Sequence, residues 1–265
     1  MQTASPPTRS ELTQHLVDTK IAGNIATSRE NNLDHYRSLA LADPYYMFGL
    51  TFDNEWTYRD VLALMAKSAG VIDDPEHRAG QDAIDPERTI DALEGMAARI
   101  AAALRKPDPR IIIATGHPTG IMTIHLALAR FAAARGATLL TPAEGLMISS
   151  GGLGRKRRVM YFDEVAVLAD GGALVHSHDP APMQAMLARL DGDRPDLVIA
   201  DHGWAGAAGE AGVETVGFAD SNDPGLFVGE AEGKIAVTVP LDDNVFPRHY
   251  APLTSYLIAR VESDL

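Results

Sequence analysis

The run Arg110-Ile111-Ile112-Ile113-Ala114-Thr115-Gly116-His117-Pro118-Thr119-Gly120 restricts the fold more than any other stretch of the chain. Its aliphatic block lacks polar alternation, so both faces of the strand must be covered, as in a parallel sheet. Gly116, Pro118 and Gly120 break the strand. A helix rich in Ala and Leu then runs to about Arg135, Gly136 suits its C-cap, and residues 137–142 read as the next strand. Strand, helix and strand in that order make a βαβ unit. The turn between them would present backbone N–H groups at the positive end of a helix dipole. Gly116, Thr119 and Gly120 are therefore candidates to hold an anion, with His117 and Thr119 adding side-chain donors. The turn matches neither the GxxxxGK[ST] nor the GxGxxG phosphate loop.

Upstream of this unit the periodicity is helical. Leu12, Leu16, Val17 and Ile21 predict a helix over residues 10–23, and Thr27-Ser28-Arg29-Glu30 opens another by a capping-box pattern. A second capping box at Thr57-Tyr58-Arg59-Asp60 and the cap-proline pair Asp85-Pro86 start two more. The expectation is a helical N-terminal region over residues 10–105, either a cap over the sheet or a homo-oligomer interface, with the sheet starting near Arg110. Its polar clusters, Arg29-Glu30-Asn31-Asn32 among them, read as solvated helix ends.

Downstream, residues 158–162 and 164–169 read as strands. Asp170-Gly171-Gly172 is a turn, and residues 173–178 return, which predicts an inserted β-hairpin carrying His176 and His178 on one strand face. Further buried strands are expected over residues 195–200, 213–219 and 234–240, and a closing helix from about Tyr250. The fold class is α/β: a Rossmann-like, mainly parallel sheet domain over residues 110–265.

Ligands of such sheets bind outside the carboxyl ends of the strands. Four strands end there in polar residues: Gly116-His117, Asp201-His202, Asp220 to Asp223, and Asp242-Asp243. Asp220, Asp223 and Asp242 with His176 and His178 are candidate ligands for Mg²⁺ or Mn²⁺, which would neutralise a phosphate and activate water. Asp201-His202 is the leading acid/base pair, since a neighbouring carboxylate fixes the imidazole tautomer, and His117 is a third catalytic candidate. Each also has an ordinary reading as a turn former or helix cap. Arg155, Lys156, Arg157 and Arg158 follow a glycine run and are candidates to close over a phosphate, Arg155 and Arg158 first.

Composition narrows the chemistry. With no cysteine, disulfides, Cys-ligated zinc and thiol nucleophiles are excluded. A net charge of −13 argues against a nucleic-acid surface. No apolar run approaches the ~20 residues of a membrane span, and the polar N-terminus is unlike a secretory signal, so a cytoplasmic protein is expected.

Several blocks resemble a group of bacterial proteins of similar length that are labelled phosphatase. They are Ala26-Thr27-Ser28-Arg29-Glu30, Gly116-His117-Pro118, residues 198–204 around Asp201-His202-Gly203-Trp204, residues 217–224, and Phe227-Val228-Gly229-Glu230-Ala231-Glu232-Gly233. The resemblance implies phosphate-ester hydrolysis. The signatures D-x-D-x-T, R-H-G and G-D-x-x-D with G-N-H are not found. The leading expectation is a phosphoric monoester hydrolase acting on a small phosphorylated metabolite with a divalent metal. The alternative is a non-catalytic sugar-phosphate or nucleotide-binding module.

Overall fold

The computed structural model describes residues 5–150, 155–190, 192 and 194–265, so the glycine run before the basic segment lies outside the described residues. The first hundred residues form α1 (Arg9–Asp18), β1 (Gly23–Ser28), α2 (Arg29–Ala40), a short α3 (Pro44–Met47), α4 (Tyr58–Ser68), β2 (Gln81–Ile84) and α5 (Pro86–Leu104). There follow β3 (Arg110–Ala114), α6 (Met122–Ala134), β4 (Thr138–Leu139), β5 (Met147–Ser150), β6 (Arg155–Phe162), β7 (Val165–Asp170) and β8 (Ala173–Leu174). The chain ends with α7 (Ala181–Leu187), β9 (Leu197–Asp201), α8 (His202–Glu210), β10 (Thr215–Ala219), α9 (Pro224–Ala231), β11 (Val237–Pro240), a 3-10 turn (Pro247–Tyr250) and α10 (Ala251–Asp264).

The main sheet runs β11-β10-β9-β3-β7-β6-β5. Strands β11 through β7 are parallel, and β6 and β5 extend the sheet antiparallel. This is the α/β, mainly parallel architecture expected. Ile113 pairs with Ile199, Val216 with Ile199, and Ala219 with Pro240. That register brings the carboxyl ends of four strands to one edge.

Alternation along each strand sends neighbouring side chains to opposite faces. Ile111 and Ile113 of β3, with Leu197 and Ile199 of β9, enter a core built with α1, α5, α6 and α10. Ile112 and Ala114, with Val198 and Ala200, enter the other, built with α2, α4, α7, α8 and α9. Every one of these strand residues is at most 1% exposed. The continuous apolar runs thus reflect a sheet sandwiched between two helical layers, with N-terminal helices in both.

Three expectations are corrected. The N-terminal region is not purely helical: β1 and β2 pair antiparallel as a separate two-stranded sheet. Within β1 only Ile25 is buried, so the segment carries almost no period-2 signal. Next, the return strand after Gly171-Gly172 is only β8, and residues 176–178 lie beyond it. His176 and His178 therefore do not share a strand face. The hairpin that extends the sheet is instead β6–β7, turning at Asp163 and Glu164, both with positive φ (43° and 62°). Helix α9 was not anticipated, because Asp223-Pro224 reads as a turn; Pro224 is in fact the first-turn proline.

Helix α8 owes its small residues to close approach. A Cβ on Gly203 would strike the His178 carbonyl, and one on Gly206 the Phe48 carbonyl. These two contacts seat the His176–His178 loop and the α3 segment against the carboxyl edge.

Candidate active site

At that edge lies a cleft of about 870 Å³. Its lining includes His117 and Thr119 after β3, His202 after β9, Asp220 and Asp223 after β10, Asp242 and Asp243 after β11, and His176 and His178 after β8. The N-terminal region adds Lys20, Thr27, Asn31 and Tyr45 to the wall.

His202 is the hub. It occupies a left-handed conformation (φ 45°) directly after the extended Asp201, a strain of roughly 1–2 kcal/mol for a residue with a Cβ. The sharp elbow aims its two ring nitrogens in different directions. Nδ1 lies 2.8 Å from Asp201 Oδ1, while Nε2 lies 3.2 Å from Asp223 Oδ2 and 3.4 Å from Asp243 Oδ2. Burial opposes charge on His202, but Asp223 and Asp201 outweigh it and hold its pKa well above the ordinary value.

Asp201 lies wholly beneath the cleft surface. Its Oδ1 also accepts the Gly116 N–H at 2.7 Å, and its Oδ2 accepts the Thr115 hydroxyl at 2.5 Å. Behind it stands buried His125, whose Nε2 is 3.7 Å away. Burial would raise Asp201, yet His202, His125 and Thr115 together hold it below the ordinary carboxylate range. Asp201 thus favours its anionic form and orients His202.

Charge is disfavoured on His117, His176 and His178. Burial, then the charge of His202, lowers His117 to about 4 and His178 to about 3, and lowers His176. His178 stacks on His202 with centroids 4.4 Å apart, and its Nε2 lies 3.1 Å from that of His176. The two histidines do converge, through a loop.

The carboxylates behave oppositely. Burial and the charge of Asp242 push Asp220 up to about 8, and burial raises Asp242 and lifts Asp243 well above its ordinary value. Asp223 is lowered, because His202 outweighs the cost of burial. Buried like charges without enough cations must take up protons or a metal. Three overlapping groups have ligand atoms within 4.8 Å of one another: His176, His178 and His202; His202, Asp223 and Asp243; Asp220, Asp242 and Asp243.

The candidate ligands are braced from behind. Thr27 donates its hydroxyl to Asp220 Oδ2 (2.7 Å), Ser221 donates its N–H to Asp220 Oδ1 (2.5 Å), and the Asn244 N–H reaches Asp242 Oδ1 (3.0 Å). Asn32 Nδ2 bonds both Ser221 Oγ (3.0 Å) and Asp82 Oδ2 (2.9 Å), and Asp82 in turn pairs with Arg29 at 2.7 Å. Arg29 and Asn32 are fully buried. They are therefore not solvated helix ends; they tie the N-terminal region to the loop after β10.

Other candidates fall elsewhere. Gly116 is buried and gives its N–H to Asp201; neither it nor Gly120 lines the cleft. A Cβ on Gly120 would strike the Asp243 carbonyl, so that glycine lets two loops meet. Arg155 pairs with Asp170 at 2.8 Å on β6, and Arg158 is exposed on the same strand; neither lines the cleft. The sole Lys or Arg among the lining residues is Lys20, which sequence reasoning passed over inside a helix. It sits instead in the turn after α1, at φ 60°. Asp243 was noticed only as a neighbour of Asp242, Tyr45 and His125 carried no local signal, and Thr27 read as a helix cap although Ser28 is the cap and Thr27 bonds Asp220.

No helix among the described residues is long and apolar enough to cross a membrane. Comparison with known proteins places the chain in a family. Phosphatase SCO2771 of Streptomyces coelicolor is 49% identical over 257 residues, which cover 95% of each chain. The model of the family described as Phosphatase matches residues 7–264, and so takes in every cleft residue named above. With the relative and the family model in agreement over nearly the whole length, the chain belongs to the Phosphatase family.

Proposed function

We propose that the protein is a cytoplasmic phosphoric monoester hydrolase that acts on a small phosphorylated metabolite with the help of a divalent cation. One observation carries this reading. Asp220, Asp223, Asp242 and Asp243 gather at the edge of a parallel sheet, all at most 6% exposed, where the described residues supply too little positive charge to balance them. Asp223 Oδ1 has no hydrogen-bond partner there. Oxygen donors of this kind suit Mg²⁺ or Mn²⁺. When bound, such an ion neutralises phosphoryl oxygens and acidifies water.

The chain's own residues then divide the work. Lys20 meets the substrate's negative charge at the mouth of the cleft. Asp201 orients the His202 ring through Nδ1, which leaves Nε2 to face the carboxylates. His117 lines the cleft, and burial lowers its pKa to about 4, so at pH 7 its imidazole has room to accept a proton. The oxygen of a water molecule bonds to phosphorus, the bond from phosphorus to the ester oxygen breaks, and the water's proton passes through His117 to the leaving alkoxide. The products are an alcohol and inorganic phosphate.

Phosphate release across a panel of phosphorylated metabolites, with Mg²⁺, with Mn²⁺ and with EDTA, tests this. Turnover abolished by EDTA and restored by one of the ions is expected. Ligand-induced thermal shifts without turnover would instead favour a binding module, since stabilisation by mass action needs only binding.

A further inference from the structure

We infer that the cluster comprises two metal subsites of unlike chemistry, nitrogen-rich at His176, His178 and His202 and oxygen-rich at Asp220, Asp242 and Asp243. Asp223 and Asp243 join them. The inference deepens the metal-assisted reading above and rests on it.

Distances argue for two ions. Donors around one ion at bond lengths of ~2.0–2.5 Å lie within about 5 Å of each other. Each outer triple meets that limit, with its ligand atoms within 4.8 Å. Among the described residues, no triple joins His176 or His178 to Asp220 or Asp242. A single ion would leave one end of the cluster unused. The central triple shares His202 with one end and Asp243 with the other, the arrangement expected of groups that lie between two ions.

Orphaned atoms point the same way. Asp223 is 2% exposed; its Oδ2 faces His202, and its Oδ1 has no partner. Asp243 is 6% exposed, and its Oδ2 makes no hydrogen bond beyond the 3.4 Å approach of His202 Nε2. Leaving such atoms unsatisfied is costly. Each outer group also has its own bracing: Asp201 behind His202, and Thr27, Ser221 and Asn244 behind the acids. That is the supporting shell a ligand set requires.

The two ends should select different ions. Imidazole suits Zn²⁺ and its neighbours, whereas carboxylates suit Mg²⁺ and Mn²⁺. Tyr45 stacks on His178, with centroids 4.9 Å apart, and shields the nitrogen-rich end.

The experiment is a metal titration of the chelator-stripped full chain, read by calorimetry and elemental analysis, with turnover measured separately. Two Zn²⁺ or two Mn²⁺ per chain are expected at saturation, with the two Mn²⁺ ions spin-coupled in the paramagnetic resonance spectrum. His176→Gln with His178→Gln should remove the tighter Zn²⁺ site and keep one Mn²⁺. Asp242→Asn should do the reverse, weakening Mn²⁺ by ten-fold or more while Zn²⁺ still binds. Circular dichroism confirms that each variant folds; if one does not, the wild-type stoichiometry and the spin coupling decide. A single ion in the wild type, or loss of all metal from both folded variants, would overturn the inference. Two ions without turnover would leave it standing and sink the phosphatase reading instead.

Discussion

Asp201 shows how one carboxylate can serve a site without lining it. It accepts from Thr115, Gly116 and His202, and it does not line the cleft. Asp201→Asn keeps the volume but turns one acceptor into a donor. Metal affinity or kcat should fall about 10–100-fold, the usual cost of losing the group that orients a metal-binding histidine, measured by metal titration and by steady-state kinetics. Asp220 carries a pH prediction. Its pKa in the folded protein, about 8, lies above the value near 4 of an unfolded chain. Its proton therefore stabilises the metal-free fold at low pH, and that contribution is lost as pH rises from about 4 through about 8. In EDTA the Tm should fall between pH 5 and pH 9, and Mn²⁺ should remove the fall. A flat profile in EDTA would contradict the acid cluster. Lys20→Ala should raise KM about ten-fold with little change in Tm, because the side chain is exposed and meets only substrate charge.

Among the elements, the turn after β3 and the segment β1–α2 carry the largest mechanical demands. Gly120→Ala would press a methyl group into the Asp243 carbonyl. Overpacking against backbone costs about 1–3 kcal/mol, which a urea titration would show together with weakened metal binding. Arg29→Met leaves Asp82 buried without its cation. A broken buried pair costs about 3–5 kcal/mol, so the Cm should drop sharply; a change smaller than about 1 kcal/mol would mean that the Arg29–Asp82–Asn32–Ser221 chain does not hold the segment. The turn was legible as a site element because an apolar run that stops at Gly116 has few alternatives. The role of Arg29 and Asn32 was not. Polar residues at a helix start read as solvated, and their partners Asp82 and Ser221 lie 50 and more positions away.

For the molecule as a whole, local patterning was enough to place the parallel strands of the main sheet and their polar ends. Unbroken Val, Ile and Leu runs admit only a sheet covered on both faces, and such a sheet gathers its ligands at one edge. His117, Asp201, His202, Asp220 and Asp242 were legible for that reason. Tertiary packing settled everything that depends on non-local approach: Lys20, Thr27 and Tyr45 in the wall, the His176–His178 loop over Gly203, and the demotion of Arg155 and Arg158 to the far strand β6. Periodicity reports which face of an element is buried. It carries no information about which loop, tens of residues away, comes to lie against that element, because that is set by the packing of whole layers across the sheet.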